Sequence, residues 1–313
     1  MRVRFMSWNL KRLRLTDACE SARVNRLCSF LHSVPSPPDV LGVQELIIER
    51  DTSDAAQKVF DAFALQLGFE PNHCFLGQTG SVDTRTAIFT RFPIVHDRGF
   101  RHAESVAQVS LQWPEVGAVG VPGPITFSRP PVHVTLEMAP EKRITVLAAH
   151  LKSRRPLLRT SAEKACVAES SSNALALATG MFVSLQVRSL ESLALRMLLS
   201  RLVDGRPAEP LVALCDLNDG IEAVTTQIVL GTSTPMERSC DGRDVLFDVT
   251  MLIEPQARWT YERRGMRLHL DHILVNHVLR GSAEAGIFHD VLNRDHAECL
   301  SDHAPVWADL DVA

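Results

Sequence analysis

The chain has 313 residues, of which 45% are hydrophobic, so it is long enough to bury a large core and too apolar to be a disordered polypeptide. Its formal net charge of −4, from 33 basic and 37 acidic residues, excludes a protein that attracts polyanions through an overall positive field. A nucleic-acid partner would therefore have to be bound by local basic groups and by cations.

The cysteines and the N-terminal residues indicate the cellular compartment in which the protein is found. The seven cysteines show no C-x-x-C spacing, and their odd number does not suit a disulfide framework, so we expect reduced thiols. The stretch before Lys11 is too short and too polar for a signal peptide. No apolar run approaches the roughly 20 residues that span a bilayer. These features predict a cytoplasmic protein without a membrane span.

Strands and helices alternate in the first part of the chain. Val3 and Phe5 alternate with polar residues, which predicts a first strand with Asn9 at its C-terminal end. The elements predicted next are a helix over 17–34, a buried strand over 39–45 that ends at Glu45, a helix over 51–67 and a hairpin over 86–95.

The rest of the chain continues the same mixed pattern. Its prolines and glycines predict a loop over 113–124. The remaining predicted elements are strands over 132–137 and 144–150, helices over 161–204 divided at Gly180, a strand over 210–216, a helix over 221–230, and strands over 247–249, 259–261, 268–275 and 304–310. No repeat or linker interrupts the pattern, so we expect a single α/β domain over residues 1–313.

Polar side chains end several of these predicted strands. They are Asn9, Glu45, His150, Asp216 with Asn218, Asp271, and Asp302 with His303. Because α/β proteins form sites where strands end at one edge of a sheet, we expect these side chains to lie together. Carboxylates within a few ångströms of each other would raise each other's pKa values unless a cation relieved the repulsion. Oxygen ligands suit Mg²⁺ or Mn²⁺ better than zinc.

A divalent ion beside two histidines and an amide indicates attack on phosphorus. In this interpretation His303 removes a proton from water, and Asp271 orients the imidazole ring of His303. His150 and Asn218 then stabilise the negative charge that develops on the phosphate oxygens. The sequence therefore predicts a metal-assisted hydrolase of phosphate esters.

The order of the polar motifs resembles that of a known family. The motifs are Ser7-Trp8-Asn9, Gln44-Glu45, His150-Leu151-Lys152-Ser153, Asp216-Leu217-Asn218, Leu270-Asp271-His272-Ile273-Leu274 and Ser301-Asp302-His303-Ala304-Pro305. In this order they resemble the endonuclease/exonuclease/phosphatase superfamily of DNase I-like proteins. One such motif is weak by itself, but six in order across nearly the whole chain are specific.

The resemblance implies a fold and a set of roles. The fold is a four-layer α/β sandwich, in which two mixed β-sheets pack face to face with helices outside. The implied roles are metal binding by Glu45 with Asn9 beside it and Asp302 near the metal or His303, positioning of water and phosphate by Asp216 and Asn218, and a second catalytic histidine at His150.

Three basic residues are candidates for substrate binding. Lys152 and Arg154 directly follow His150, where we expect a phosphate-binding edge. Arg129 resembles the arginine that several DNase I-like nucleases direct at a substrate phosphate. The resemblance thus favours a Mg²⁺- or Mn²⁺-dependent phosphodiesterase that cuts DNA or RNA with little sequence preference.

Two alternatives stay open at this point. The same residues serve phosphatases and phosphodiesterases that act on lipids or inositol phosphates, and the acidic net charge is compatible with such substrates. The other alternative is a DNase I-like scaffold that binds a partner without catalysis. The full set of polar residues argues against that scaffold.

Overall fold

The computed structural model describes residues 1–15, 21–49, 53–95, 103–110, 124–157, 174–232, 245–263, 265–281, 283–292 and 300–312. Within these ranges the chain forms two six-stranded β-sheets and two small sheets of two strands each. Both large sheets contain parallel and antiparallel neighbours, which confirms the predicted pair of mixed sheets.

The first large sheet contains the first and the last described strands. Its strands, in spatial order, are β15 (Ala283–Ile287), β16 (Val306–Asp311), β1 (Arg2–Leu15), β2 (Val40–Ile48), β4 (Arg85–Thr90) and β3 (Phe75–Leu76). Strand β1 is parallel to β2 and antiparallel to β16, so it lies at the centre of this sheet.

The second large sheet aligns three of the predicted site residues. Its strands, in spatial order, are β11 (Phe247–Asp248), β14 (Asp271–Val275), β10 (Leu211–Asp216), β9 (Lys142–His150), β8 (Val132–Ala139) and β5 (Ala103–Ser105). Asp216 at the end of β10 pairs with His150 on one side and with Asp271 on the other. The register of this sheet therefore places these three side chains next to one another.

Helices and small sheets complete the described fold. The helices are α1 (Ser21–Ser33), α2 (Ser53–Leu67), α3 (Ala174–Gly205) and α4 (Val224–Leu230). Short 3₁₀ turns cover Pro71–His73, Val249–Leu252, Pro255–Ala257, His277–Leu279 and His289–Val291. The small sheets pair β6 (Gln108–Ser110) with β7 (Pro124–Thr126), and β12 (Tyr261–Arg263) with β13 (Met266–Leu268). None of the helices in the described ranges has both the length and the apolar character needed to cross a bilayer.

Alternation along the central strands produces the four layers. Val3 and Phe5 of β1 pack in the apolar cluster between the two sheets. Met6 and Trp8 of the same strand face the other way and pack in the cluster that contains the apolar residues of α1 and α2. Leu147 of β9 packs with the apolar residues of α3 and α4 on the far side of the second sheet. The order of layers is thus helix, sheet, sheet, helix, as the resemblance implies.

The two sheets approach each other closely at Gly42. A Cβ atom at this position would lie 2.8 Å from the Cβ of Leu214 on the opposite sheet. Real Cβ contacts are longer than this, so only glycine fits in β2 at the crossing with β10.

Several predicted boundaries were wrong. Strand β1 does not end at Asn9 but continues to Leu15 after an irregularity in its pairing. Helix α3 is continuous through Gly180, whose carbonyl oxygen accepts a hydrogen bond from the backbone of Leu157. The segment 91–95 does not pair with β4, because Ile94 instead bridges to Leu136 of the second sheet.

The predicted strand over 268–275 is two strands, β13 and β14. The backbone N–H groups of Leu270 and Asp271 both donate to the Thr260 hydroxyl at this break, 3.0 and 3.1 Å away. Residues 113–123 of the predicted loop over 113–124, and residues 161–173 of the predicted helices over 161–204, lie outside the described residues.

Candidate active site

A cleft of about 560 Å³ lies where the predicted strand ends meet. The sequence-predicted residues that line it are Asn9, Glu45, Arg129, His150, Arg154, Asp216, Asn218, Asp302 and His303. Asp271 lies directly behind His303 and contacts it. The structure therefore brings all of the predicted site residues except Lys152 to one cleft.

The backbone around the cleft adopts unusual conformations. Lys11, Arg12, Glu45 and Asn218 have positive φ values of 45°, 50°, 65° and 58° and all line the cleft. In the part of the chain that the structure describes, the one other non-glycine residue with positive φ is Glu141, in the turn between β8 and β9. Left-handed backbone costs such residues about 1–2 kcal/mol each, and strain of this kind clusters at functional sites.

The strain in β1 and β2 has a structural cause. Asn9 pairs with Gln44, and the next pair is Leu13 with Leu46, so three residues of β1 lie opposite Glu45 alone. This bulge turns the side chains of Asn9 and Glu45 toward the cleft. The sequence predicts both residues for the site, but it does not show that the strand continues past them.

His303 and Asp271 form a hydrogen-bonded pair at the base of the cleft. Nδ1 of His303 lies 2.8 Å from Oδ2 of Asp271. The turn that contains His303 is fixed to β1, because the Ser301 hydroxyl donates to the Asn9 carbonyl at 2.6 Å and accepts from the His303 backbone N–H at 3.1 Å. The Trp8 indole N–H also donates to the His303 carbonyl at 2.9 Å. These contacts explain why the Ser-Trp-Asn and Ser-Asp-His motifs occur together.

The negative charge in the cleft changes the pKa values of two groups. Burial first, and then the charge of Asp271, raises the pKa of Asp216 to about 7. Burial alone would lower the pKa of His303, but the charges of Asp271 and Asp216 outweigh it and raise that pKa to about 10. The raised pKa of His303 reflects the negative charge of the two carboxylates, whereas the raised pKa of Asp216 reflects its burial first and the charge of Asp271 second.

His150 lies beside this charge, on the strand next to that of Asp216. Its Nε2 lies 3.4 Å from Oδ2 of Asp216 and 3.9 Å from Oε1 of Glu45. Burial first, and then the positive charge of Arg129, holds the pKa of His150 well below its ordinary value, so its imidazole is neutral. The Asn9 amide donates to the same Oδ2 of Asp216 at 2.8 Å.

The oxygen atoms in the cleft fit a divalent cation. Oε2 of Glu45 accepts from the Arg12 backbone N–H at 2.8 Å, while Oε1 is directed toward His150. Oδ1 of Asp271 is buried and has no hydrogen-bond partner among the described residues. Ligand atoms of Asp216, Asp271 and His303 lie within 4.8 Å of one another. A hard cation would stabilise the ionised form of the buried Asp216 and offset its repulsion by Asp271.

The three predicted substrate-binding residues differ in whether they line the cleft and in which hydrogen bonds they already make. Arg129 lines the cleft, and its Nη1 is buried without a partner in the described part of the chain, which leaves a donor for an anionic ligand. Arg154 also lines the cleft, and its Nε donates to Oδ1 of Asp219 at 2.6 Å. Lys152 does not line the cleft, because its ammonium group donates to the carbonyls of Ser153 and Arg155 at 2.9 and 3.1 Å.

A second cluster of histidine and aspartate lies on the other face of β14. Nδ1 of His272 lies 2.7 Å from Oδ2 of Asp248, and Nε2 of His272 donates to the Asp219 carbonyl at 2.9 Å. Oδ1 of Asp248 accepts from the backbone and hydroxyl of Thr250 at 3.0 and 2.7 Å. The Thr250 hydroxyl also lies 3.0 Å from Nε2 of His269. Sequence reasoning missed this cluster, for which the consecutive pair Asp271-His272 was the available signal.

The fold and the site define a protein of the DNase I-like class of α/β sandwiches. Residues 6–303 match the Endonuclease/Exonuclease/phosphatase family, and the chain belongs to this family. Members of the family are phosphoester hydrolases that generally depend on divalent metals. The residues of the cleft thus lie in a fold whose members hydrolyse phosphate esters.

Solved structures show the same fold at low sequence identity. Truncated Caenorhabditis elegans TDP2 is 15% identical with a TM-score of 0.56, over 99% of this chain and 98% of that chain. The human Nocturnin catalytic domain with bound sulfate is 15% identical with a TM-score of 0.57, over 100% and 95% of the two chains. The Bacteroides vulgatus endonuclease/exonuclease/phosphatase is 13% identical with a TM-score of 0.57, over 100% of both chains. No curated protein matches the sequence.

Proposed function

We propose that the chain hydrolyses phosphodiester bonds in DNA or RNA with little sequence preference, in a reaction that requires Mg²⁺ or Mn²⁺. The observation that carries this proposal is the His303–Asp271 pair, 2.8 Å between Nδ1 and Oδ2, in a cleft that also contains His150, Asp216 and Glu45. Since the cleft takes residues from the first strand and from the turn that precedes the last strand, we expect residues 1–313 to act as one domain.

The chemistry of the pair follows from its hydrogen bonds. Without a cation, burial is outweighed by the charges of Asp271 and Asp216, which raise the pKa of His303 and keep its ring protonated. Neutralisation of these carboxylates by a cation would lower this pKa, and the neutral ring, which donates its Nδ1 proton to Asp271, would then accept a proton from water at Nε2. Asp216 and Asn218 would orient that water and the phosphate, a role that is supported by their presence with His303 in the lining of the cleft. The neutral imidazole of His150, and Nη1 of Arg129, which has no partner among the residues that the structure describes, can donate to the phosphate oxygens as negative charge develops there.

The cation belongs at the oxygen atoms on the β1 and β2 side of the cleft. Glu45 would be its principal ligand, with Asn9 beside it and Asp302 near the cation or His303, and all three residues line the cleft. A bound Mg²⁺ or Mn²⁺ supplies positive charge that neutralises the carboxylates and polarises the phosphate.

The lining of the cleft favours a nucleic acid over a small phosphate ester. Six basic residues line the cleft, namely Lys11, Arg12, Arg129, Arg154, Arg155 and Arg263. Such a spread of cations suits a ligand with a phosphate in each unit, and the adjacent apolar wall of Tyr261 and Leu268 suits its bases. The same fold in D. rerio TDP2 has been solved with a single-strand DNA product, which shows that the fold accepts such a ligand in that protein.

One panel of substrates tests the proposal. Plasmid DNA, single-stranded DNA, RNA, abasic duplex DNA, a phosphomonoester and inositol phosphates are each incubated with Mg²⁺, Mn²⁺ or a chelator. We expect cleavage of at least one nucleic acid with either metal and none with the chelator. Turnover of a small phosphate ester without cleavage of any nucleic acid would replace this function by a phosphatase or an inositol-phosphate or lipid phosphodiesterase.

A lack of turnover of every substrate in the panel would favour the non-catalytic scaffold. The His303→Ala variant is the control for contaminating nucleases, because its preparation should lose the activity of the wild-type protein. Activity that persists in this variant would show that the cleavage does not come from the cleft.

A further inference from the structure

Helix α3 buries polar side chains on the face that it turns toward the cleft loops. Ser184, Arg188 and Glu191 are spaced by four and three residues, so they lie on one face of the helix. Their exposed fractions are 1%, 5% and 1%. Further along the same face, Leu195 and Leu198 are apolar and pack in the core. Buried charges are unfavourable unless they have partners, so this polar segment of the face requires an explanation.

Glu191 connects two loops that flank the cleft. Its Oε1 accepts from the Ser128 backbone N–H at 2.8 Å, and its Oε2 accepts from the Lys152 backbone N–H at 2.7 Å. Ser128 precedes Arg129, and Lys152 lies two residues after His150. One buried carboxylate thus fixes the backbone next to Arg129, whose Nη1 has no partner among the described residues, and near His150 of the site.

Arg188 and Ser184 contact the same loop from neighbouring turns of the helix. Nη1 of Arg188 donates to the Lys152 carbonyl at 3.3 Å, so both backbone polar groups of Lys152 have partners on α3. The Ser184 hydroxyl lies 2.7 Å from the carbonyl oxygen of Ser153, which accepts its hydrogen bond.

Arg188 extends this network to the loop after β10. Its Nε donates to Oδ2 of Asp219 at 2.5 Å, and Oδ1 of Asp219 accepts from Nε of Arg154 at 2.6 Å. Asp219 follows Asn218 directly in the chain. The three loops that carry Arg129, Arg154 and Asn218 are therefore connected through two side chains of one helix.

We propose that Arg188 and Glu191 are positioning residues of the site. They hold the loops after β7, β9 and β10 in register, so that Arg129 and Arg154 meet successive phosphate groups of the substrate beside His150. The proposal rests on the proposed function for the identity of the substrate, but the contacts that carry it do not involve the reacting groups.

The principal variant is Glu191→Gln, which preserves the size of the side chain. Glutamine has one acceptor oxygen and an NH₂ group, so it can accept from only one of the two backbone N–H groups. The other loop loses its contact and shifts. Misplacement of about 1 Å can reduce rates roughly 100-fold, and the groups affected here bind phosphate, so we expect KM to rise about tenfold with a smaller change in kcat.

The matched control is Glu137→Gln, which removes an exposed carboxylate. Glu137 pairs with Arg143 near the start of β9, whereas His150 ends that strand at the cleft. Seven residues of extended strand separate Arg143 from His150 by roughly 23 Å, so this variant should keep the wild-type KM within about twofold. The assay uses the nucleic acid that the wild-type protein cleaves fastest.

A second readout does not depend on catalysis. Hydrogen exchange of the Ser128 and Lys152 amides should be faster in Glu191→Gln than in the wild-type protein, while exchange in the central strands stays unchanged. A purely structural role would instead accelerate exchange throughout the sheets and reduce kcat through loss of active protein, with KM unchanged. That result, or unchanged exchange at both amides, would overturn the proposal.

The test also covers a Glu191→Gln variant that does not fold and a wild-type protein that cleaves no substrate. If Glu191→Gln does not fold, Arg188→Lys replaces it, because lysine keeps the charge but cannot contact Asp219 and the Lys152 carbonyl together. Arg188→Lys should then raise KM and accelerate exchange at Lys152, and failure to do either overturns the proposal. If the wild-type protein cleaves nothing, the proposed function fails, and the exchange measurements alone decide whether these residues position the loops.

Discussion

Two histidine–carboxylate pairs of similar geometry lie on opposite faces of β14. Nδ1 of His303 is 2.8 Å from Asp271, and Nδ1 of His272 is 2.7 Å from Asp248. All four side chains are buried. Asp271 and His272 are consecutive, and successive side chains of a strand point to opposite faces, so each can join a different pair.

The two pairs differ in how completely their atoms are hydrogen-bonded. Both ring nitrogens of His272 and both carboxylate oxygens of Asp248 have partners. In contrast, Oδ1 of Asp271 has no partner among the described residues, and His303 lines the cleft. We call His272–Asp248 the saturated pair, because all its polar side-chain atoms have hydrogen-bond partners, and His303–Asp271 the unsaturated pair. A saturated pair contributes to stability, whereas an unsaturated pair beside a cleft can still bind water, a cation or a substrate.

The largest predicted effect is on catalysis by the unsaturated pair. His303→Ala removes the group that accepts the proton, so we expect kcat to fall about 10²–10⁴-fold. Circular dichroism and size-exclusion chromatography should show the wild-type fold. Steady-state kinetics on the best nucleic-acid substrate measures the loss, and a kcat near the wild-type value would show that the catalytic centre lies elsewhere.

The next effect is on stability and concerns the saturated pair. Asp248→Asn leaves His272 buried without its anion, which we expect to lower the free energy of unfolding by about 3–5 kcal/mol. The folded fraction should keep kcat within about threefold. Urea unfolding measures the first quantity, and Asp311→Asn, at an exposed ion pair with Arg2, is the control with an expected change under about 1 kcal/mol. A large loss of kcat in stably folded Asp248→Asn would make this pair part of the catalytic machinery.

The sequence predicts the unsaturated pair and misses the saturated one for a physical reason. Residues of the cleft lie at the ends of buried strands, and the register of β9, β10 and β14 brings these ends together. A polar residue at the end of an apolar strand, such as His150, can therefore be recognised from the sequence as a candidate site residue. Asp248 and His272 meet through pairing of β11 with β14, which no local pattern specifies.

The same limit applies to helix α3 and to the bulge in β1. Arg188 and Glu191 resemble ordinary surface residues of a helix in sequence, because only the fold shows that loops cover them. The positive φ of Glu45 likewise depends on pairing between β1 and β2 rather than on its own residue type. The layers and most strands are therefore predictable from alternation, while buried polar contacts between elements are not.

A smaller effect concerns the binding of the cation. Because Glu45 lies at the oxygen-rich wall of the cleft, saturating Mg²⁺ or Mn²⁺ should stabilise the fold, by about 2.7 kcal/mol at a concentration 100 times Kd. Glu45→Gln should lose most of this stabilisation, as measured by thermal unfolding with and without metal. Glu49→Gln, at an exposed ion pair with Arg14, should retain it. Equal stabilisation in both variants would place the cation outside the cleft, and loss of the effect in Asp248→Asn would place it at the second pair.

The smallest predicted effect is the pH dependence of the stability that His272 of the saturated pair contributes. Burial alone would lower the pKa of His272, but the charge and hydrogen bond of Asp248 outweigh it and raise the pKa above the ordinary 6.5. The folded state thus binds this proton more tightly, so the contribution of His272 to stability is complete below pH 6.5 and is lost as the pH rises through the folded pKa.

Comparison with His272→Gln isolates this contribution. Burial first, and then the charge of His272, lowers the pKa of the neighbouring His269 to about 3, so His269 is neutral in the wild-type protein from pH 5 to 9. Asp248, whose pKa is lowered because the charge of His272 outweighs burial, is ionised over the same range. The difference in unfolding free energy between the wild-type protein and His272→Gln should therefore be largest near pH 5–6 and should decline steadily above pH 6.5. A difference that stays constant from pH 5 to 9 would mean that His272 is neutral in the folded protein and that the pair is held by a neutral hydrogen bond.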